Sequence, residues 1–224
     1  MYKHFVKRLI DIVLSAIGII VLALPMLIIA IAIKIDDPGP VLFKQKRVGK
    51  KKNGEITYFM IWKFRSMKMS TPHDTPTHLL ENPEQYITRI GRFIRKTSLD
   101  ELPQIFQVFT SKLSAIGPRP ALWSQDDLVA EREKYGANDI KPGITGWAQI
   151  NGRDELEIDV KAKLDGDYTA ALNQGHFHGF VMDWRCFWET IRSVLKSEGV
   201  VEGGTGEMKK QQEEKETDTE AIVK

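Results

Sequence analysis

The hydrophobic positions of this chain follow several distinct patterns. Residues 12–33 are apolar or small, carry no charge, and are about long enough to cross a bilayer core. Pro25 sits mid-run and predicts a break or kink. Val41 to Arg47 and Ile56 to Phe64 read as two strands. Asn53-Gly54 between them is a hairpin signal. Glu84 to Arg95 has helical spacing, with Tyr86, Ile90, Phe93 and Ile94 inward and Arg89, Arg92 and Arg95 on the polar side. Leu102, Ile105, Phe106, Val108 and Phe109 predict one buried helix face, and Leu122 to Tyr135 a charged surface helix. Trp184, Phe187 and Trp188 with Arg185 and Arg192 form an amphipathic segment fit for an interface, with packing on the core as the competing reading. Residues 68–83 show no period and predict a loop; residues 205–224 are polar and predict disorder.

Composition sharpens this picture. Hydrophobic residues make up 42% of the 224 and charged residues 28%, enough for one packed domain with appendages. The net charge is +2, which argues against a nucleic-acid binder. Residues 1–55, however, hold ten lysines and arginines against four carboxylates. Beside an apolar segment, that excess reads as a surface facing anionic lipid. Cys186 is the single cysteine, so no intrachain disulfide forms and a reducing compartment is expected.

The apolar run admits three readings. It is long for a signal peptide, and no small-residue cleavage site follows it. A simple span fits the length. Both flanks are basic, however: Lys3, Lys7 and Arg8 before, Lys34 and the Lys44–Lys52 cluster after. Positive flanks keep both ends on the cytoplasmic side. A helix–break–helix that enters and leaves one leaflet, reversing at Pro25, satisfies charge and proline together. Arg8 and Asp11, one turn apart, are spaced to pair at the interface or to remain a solvated ion pair.

The chemistry concentrates in Arg95-Lys96-Thr97-Ser98-Leu99-Asp100-Glu101-Leu102-Pro103, followed by Ile116-Gly117-Pro118-Arg119-Pro120. Adjacent carboxylates near guanidinium groups suit phosphate and divalent-metal chemistry. Ser98-x-x-Glu101 is also a capping box, with Asp100 placed to complement a helix dipole. Spacing alone leaves both readings open. Lys63 shares a strand face with Arg65, where phosphate or carboxylate contact competes with plain exposure. His73 and His78 lack a second pair of ligands at metal spacing. Trp147 suits the core better than the lipid interface or a stacking role.

Ser98 to Gln104 and Ile116 to Pro120 resemble the signature of the bacterial sugar transferases, the monotopic phosphoglycosyl transferases. Pro40 to Gly49, Trp62 to Met67, Ile140 to Arg153 and, loosely, Leu164 to Tyr168 resemble further motifs of that family in its order. Two positions depart from its pattern: Leu24-Pro25 replaces Ser-Pro, and Lys112 stands where an acid is usual. The resemblance implies an α+β monotopic membrane protein with an N-terminal re-entrant helix–break–helix, a small β-hairpin and several amphipathic interfacial helices. Its expected parts are a membrane helix over 1–34, a catalytic domain over 35–203 and a tail over 204–224. The implied reaction moves sugar-1-phosphate from a UDP-sugar to a polyprenol phosphate such as undecaprenyl phosphate, releasing UMP. Asp100 would be the nucleophile, Asp100 and Glu101 would hold Mg²⁺, and Lys63, Arg95 and Arg119 would bind phosphate. The expected place is the cytoplasmic face of a bacterial inner membrane, with membrane lipid as a partner. Oligomeric state stays open, a homo-oligomer included. The rival reading is a non-catalytic scaffold or nucleotide-sugar-binding protein of a polysaccharide assembly complex.

Overall fold

A computed structural model describes residues 2–71, 83–152 and 156–196 of the chain. The fold mixes helices with two small sheets. The apolar run forms α1 (Lys7–Asp36), preceded by a π-helical turn over Tyr2–Val6. Where the sequence predicts helix, break and helix, α1 is a single helix with Pro25 inside it. Proline removes one N–H and crowds the carbonyl of Val21. That loss is local, and the long helix on either side absorbs it. Among the described residues, α1 is the one helix long and apolar enough to cross a membrane.

Both ends of α1 pack on the same body. Near its start, Val6 and Ile10 join a core built on Ile116, Ile140, Tyr168, Leu172 and Cys186. Near its end, Met26, Ile29 and Ile33 pack against Phe64 and Ile94. In between, α1 runs against the short helix Gln104–Phe109; a Cβ added at Gly18 would lie 2.3 Å from Ile105 Cδ1. The opposite face is bare, with Ile20, Val21, Leu24, Ile28 and Ile35 exposed.

Polar groups weld the N-terminal end in place. Buried Asp11 accepts from Ser114 Oγ and from the Ala115 N–H, each at 2.9 Å. Arg8 donates to the carbonyls of Val108 and Phe109, each at 2.7 Å. These two residues, spaced to pair with each other, therefore bind the domain instead. Asp183 accepts from Tyr2 Oη at 2.5 Å, Lys7 Nζ at 2.8 Å and Tyr168 Oη at 2.6 Å. Burial, then the charge of Asp183, pushes the Cys186 thiol up to about 12, so it is inert.

The two predicted strands are β1 (Leu42–Val48) and β2 (Tyr58–Phe64), paired antiparallel with Phe43 opposite Lys63. Asn53 and Gly54 both take positive φ, 51° and 85°, as an Asn-Gly turn requires. The exit from α1 is tied down too. Arg65, buried, pairs with Asp37 and donates to the Pro40 carbonyl at 2.7 Å. Asp36 accepts from the Ile90 N–H at 2.9 Å. Helix α2 (Arg89–Lys96) begins later than the spacing predicts, because Thr88 caps it through the Gly91 N–H at 2.8 Å. Pro83–Tyr86 forms a separate 3₁₀ turn, and Phe93 faces outward rather than inward.

Helix α3 (Gln104–Phe109) keeps part of its predicted inward face, with Leu102 just before it packed on the core and Ile105 against α1, but turns its two phenylalanines outward. Gln104, Gln107 and Val108 are buried, while Phe106 and Phe109 are exposed. Gln107 completes the edge of β2: its Nε2 donates to the Met60 carbonyl at 2.6 Å and its Oε1 accepts from the Trp62 N–H at 2.9 Å. A side-chain amide that mimics a strand neighbour justifies burying glutamine.

Strands β3 (Ser114–Ile116) and β4 (Gly143–Thr145) pair in parallel. Their junction needs glycine: a Cβ at Gly143 would lie 2.2 Å from Gly117 N, and one at Gly146 2.1 Å from Gly117 O. The remaining helices are α4 (Asp126–Glu133), α5 (Trp147–Ile150), α6 (Ile158–Asn173) and α7 (His176–Lys196). Trp147 packs on the core, as expected. Phe177, Phe180, Trp184 and Trp188 form an exposed aromatic stripe on α7. His73, His78, most of the 68–83 loop and the 205–224 tail lie outside the described residues.

Candidate active site

Asp100 and Glu101 fall on a single 3₁₀ turn, Leu99–Glu101, placed between α2 and α3 and packed on β2. The residue before it, Ser98, adopts a left-handed conformation with φ 55°. An N-cap needs extended backbone, so the capping box does not form. The Ser98 side chain makes no cap hydrogen bond, and its N–H donates back to the Arg95 carbonyl at 3.1 Å. Left-handed backbone at a non-glycine residue costs on the order of 1 kcal/mol and clusters at functional sites.

Released from capping, Glu101 turns to two cations. Its Oε1 lies 2.9 Å from Lys63 Nζ and 3.3 Å from Arg119 Nη2. Lys63 Nζ also lies 3.7 Å from Asp100 Oδ2. Asp100 is buried, at 4% exposure. Burial pushes the Glu101 carboxyl up, but the charges of Lys63 and Arg119 outweigh it and hold the group at about 2. Glu101 is therefore an anion at any physiological pH.

The two cations arrive from different elements. Lys63 projects from β2 on the same side as buried Ile61, two residues back. Arg119 comes from the Gly117-Pro118-Arg119-Pro120 turn that follows β3. The structure thus brings together Asp100, Glu101, Lys63 and Arg119. Arg95 is half-buried in the last turn of α2, just upstream. Arg65, on the same predicted strand face as Lys63, belongs to the α1 exit turn; its partner is the Asp37 carboxylate. Pro25 lies within α1.

Sequence reasoning missed the support behind Arg119. Arg132 on α4 donates to its carbonyl at 3.0 Å and is itself held by Asp165 on α6. Thirty-three residues separate that pair, and no local spacing rule reaches so far. Among the described residues, no group of three or more histidine, cysteine or acidic side chains is arranged to hold a metal. The site thus offers two carboxylates and two cations in one half-buried cluster. That arrangement can attract a phosphate with its cations and present an oxygen nucleophile to it.

Known proteins are similar in sequence to this chain. The chain is 38% identical to the UDP-glucose:undecaprenyl-phosphate glucose-1-phosphate transferase of Escherichia coli (strain K12), over 74% of this chain and 36% of that enzyme. It is 36% identical to the uncharacterized sugar transferase EpsL of Bacillus subtilis (strain 168), over 87% of this chain and 89% of EpsL. It is 34% identical to the undecaprenyl-phosphate galactose phosphotransferase of Salmonella typhimurium, over 89% of this chain and 41% of that enzyme. The chain therefore spans well under half of the two longer enzymes and nearly all of EpsL. Residues 2–197, which contain every element of the site, match the bacterial sugar transferase family, and the chain belongs to it.

Proposed function

We propose that this protein transfers sugar-1-phosphate from a UDP-sugar to a polyprenol phosphate such as undecaprenyl phosphate, releasing UMP. It would thereby begin the membrane stage of glycoconjugate synthesis. The observation that carries this reading is the Asp100–Glu101 dyad gripped by Lys63 and Arg119. Two longer relatives bear undecaprenyl-phosphate transferase names, which supports both the donor class and the acceptor.

In the resting site Lys63 and Arg119 neutralise Glu101. A donor diphosphate would compete for both cations, Arg119 gripping its oxygens as a fork and Lys63 as a point charge. Arg95, at the end of α2, is a third cation for the same diphosphate. An Asp100 oxygen then attacks the β-phosphorus, and the bond from that phosphorus to the bridging oxygen breaks. UMP leaves with the electron pair, and an aspartyl phosphosugar remains. An oxygen of the lipid phosphate attacks the same phosphorus, freeing the Asp100 carboxylate and giving a lipid diphosphosugar. Two displacements replace one hard encounter between two anions. Glu101, fixed as an anion, holds Lys63 and Arg119 in register until substrate arrives.

Mg²⁺ is bound by one or two carboxylates plus substrate phosphates, and by few closed protein cages. The donor set here, Asp100 and Glu101 with no third ligand group beside them among the described residues, fits that mode. When bound, Mg²⁺ supplies neutralising charge to the diphosphate.

The acceptor is a lipid and the donor is soluble, so the site belongs at a membrane surface. Support for a monotopic placement comes from α1. Its start binds the domain through Arg8 and Asp11, and its end packs on Phe64 and Ile94 of the same domain. A helix spanning the bilayer would carry those two ends to opposite sides. With both ends held, the bare face of α1 would enter one leaflet, and the exposed Phe106, Phe109 and α7 stripe supply further apolar groups suited to an interface. Basic flanks support a cytoplasmic-face position for the domain, at the inner membrane in this reading. The deciding experiment is UMP release from UDP-glucose, UDP-galactose and UDP-N-acetylgalactosamine, with undecaprenyl phosphate and Mg²⁺. Continued release over many turnovers that needs the lipid phosphate supports the transferase; binding of every donor without release would leave a non-catalytic binding protein.

A further inference from the structure

Four successive carbonyls at the turn that carries Arg119 are each taken by a different donor. The Gly143 N–H donates to the Pro118 carbonyl at 2.9 Å, Arg47 Nη1 to that of Pro120 at 3.1 Å, and the Val48 N–H to that of Ala121 at 2.9 Å. The carbonyl of Arg119 itself accepts from Arg132 Nη2 at 3.0 Å. Arg132 is 4% exposed and sits on α4. Asp165 on α6, 1% exposed, holds it: its Oδ2 lies 2.8 Å from Nε and 2.6 Å from Nη2. The neighbouring Gly166 lets α6 approach the end of α4; a Cβ there would lie 2.4 Å from Tyr135 Cβ. The aim of Asp165 is thereby fixed by helix packing.

A buried ion pair adds little net stability compared with an apolar pair of similar volume. This one has an output beyond stability. A guanidinium oriented by one carboxylate points its remaining N–H groups in fixed directions, and one of them reaches the backbone of the residue that bears the site's guanidinium. The other three bonds hold the residues on either side of Arg119. The bond from Arg132 acts on Arg119 itself.

Resting on the phosphate role assigned above to Arg119, we propose that Arg132, oriented by Asp165, is a positioning residue: it fixes the Arg119 backbone so that the Arg119 side chain meets the donor diphosphate in register. Through this bond the α4–α6 pair, distant in sequence from Lys63 and the dyad, becomes part of the donor site. Breaking it leaves the Arg119 charge in place and loosens its direction. Donor affinity falls first, and turnover at saturating donor falls less.

The test uses the full chain in nanodiscs, with UDP and Mg²⁺ as the binding probe and UMP release as the kinetic one. Arg132→Lys keeps the charge and loses the fork. The paired variant Arg132→Met with Asp165→Leu removes both charges together and guards against a lone buried ion. Each is expected to raise the Kd for UDP and the KM for the UDP-sugar roughly tenfold, with kcat lowered less than about threefold. In an Arg119→Lys background the same changes are expected to add less than about twofold, because the side chain they orient has already lost its grip. An unchanged Kd in a folded Arg132→Lys or paired variant overturns the proposal. So does an equal loss with and without Arg119, which would mark a general effect on folding. UDP binding by the unaltered protein separates the two ideas: its absence sinks the transferase reading itself, before any variant is measured.

Discussion

At the residue scale the account rests on what Glu101 and Asp100 do with their charges. Glu101 has a depressed carboxyl, at about 2 against an ordinary 4.5. Its charge therefore contributes stability that is fully present above pH 4.5 and is lost as pH falls through about 2. By linkage this amounts to roughly 3 kcal/mol. Glu101→Gln is expected to lose stability at neutral pH and to show a flatter loss on acidification between pH 4.5 and 2, measured by chemical denaturation. Ser98→Ala is expected to change stability by less than about 0.5 kcal/mol, since no cap is removed; a loss near 1 kcal/mol would restore the capping box. Arg119→Lys is expected to lower kcat/KM at least tenfold, because the two-point grip is lost while the charge stays; an unchanged rate at subsaturating donor would count against phosphate binding. Asp100, Glu101 and Arg119 were legible as site candidates because adjacent acids near guanidinium groups suit phosphate chemistry, and the resemblance of their motifs to a family signature favoured that reading over a helix cap. Arg132 and Asp165 were not, because their link is made by helix packing.

At the element scale the sequence separates well into strands and helices but misjudges which helix faces turn inward. The α3 pattern Leu102, Ile105, Phe106, Val108, Phe109 predicts a buried apolar face; Val108 is buried and Leu102 packs on the core, yet both phenylalanines are exposed and Gln107 is inside. Hydrophobic periodicity assumes water on the other side; beside a bare α1, an apolar face can be the outer one. The Gln107 amide then serves as a strand neighbour for β2. Gln107→Leu leaves the Trp62 N–H and Met60 carbonyl without that partner, and is expected to cost about 2–3 kcal/mol. Gln104→Leu is the contrast: its Nε2 has no hydrogen-bond partner, so the change is expected to be near neutral. Equal losses for both would mean that Gln107 contributes by packing alone. The start of α2 was misplaced for a similar reason, since Thr88 caps it where periodicity alone runs on toward Glu84.

At the scale of the whole molecule, composition and charge placement predict a membrane surface, and the structure supplies two facts that bear on it. Both ends of α1 bind one domain, and that domain holds the dyad. Single cysteines at Lys3 and Lys52 are expected to label from the same face of the membrane. Cys186 can stay in place, since it is buried and its thiol is held up near 12. Labelling of position 3 from the opposite face would show that α1 spans and that its N-terminal contacts give way in the bilayer. The central claim is that one carboxylate, Asp100, carries the sugar phosphate between a soluble donor and a lipid. The most direct measurement is UMP release in a single turnover with the UDP-sugar that supports activity, Mg²⁺ and no lipid acceptor. The account predicts a burst of about one UMP per enzyme from the unaltered protein and none from Asp100→Asn. A burst that survives in Asp100→Asn, or UMP release from the unaltered protein that never begins until lipid phosphate is added, would contradict it.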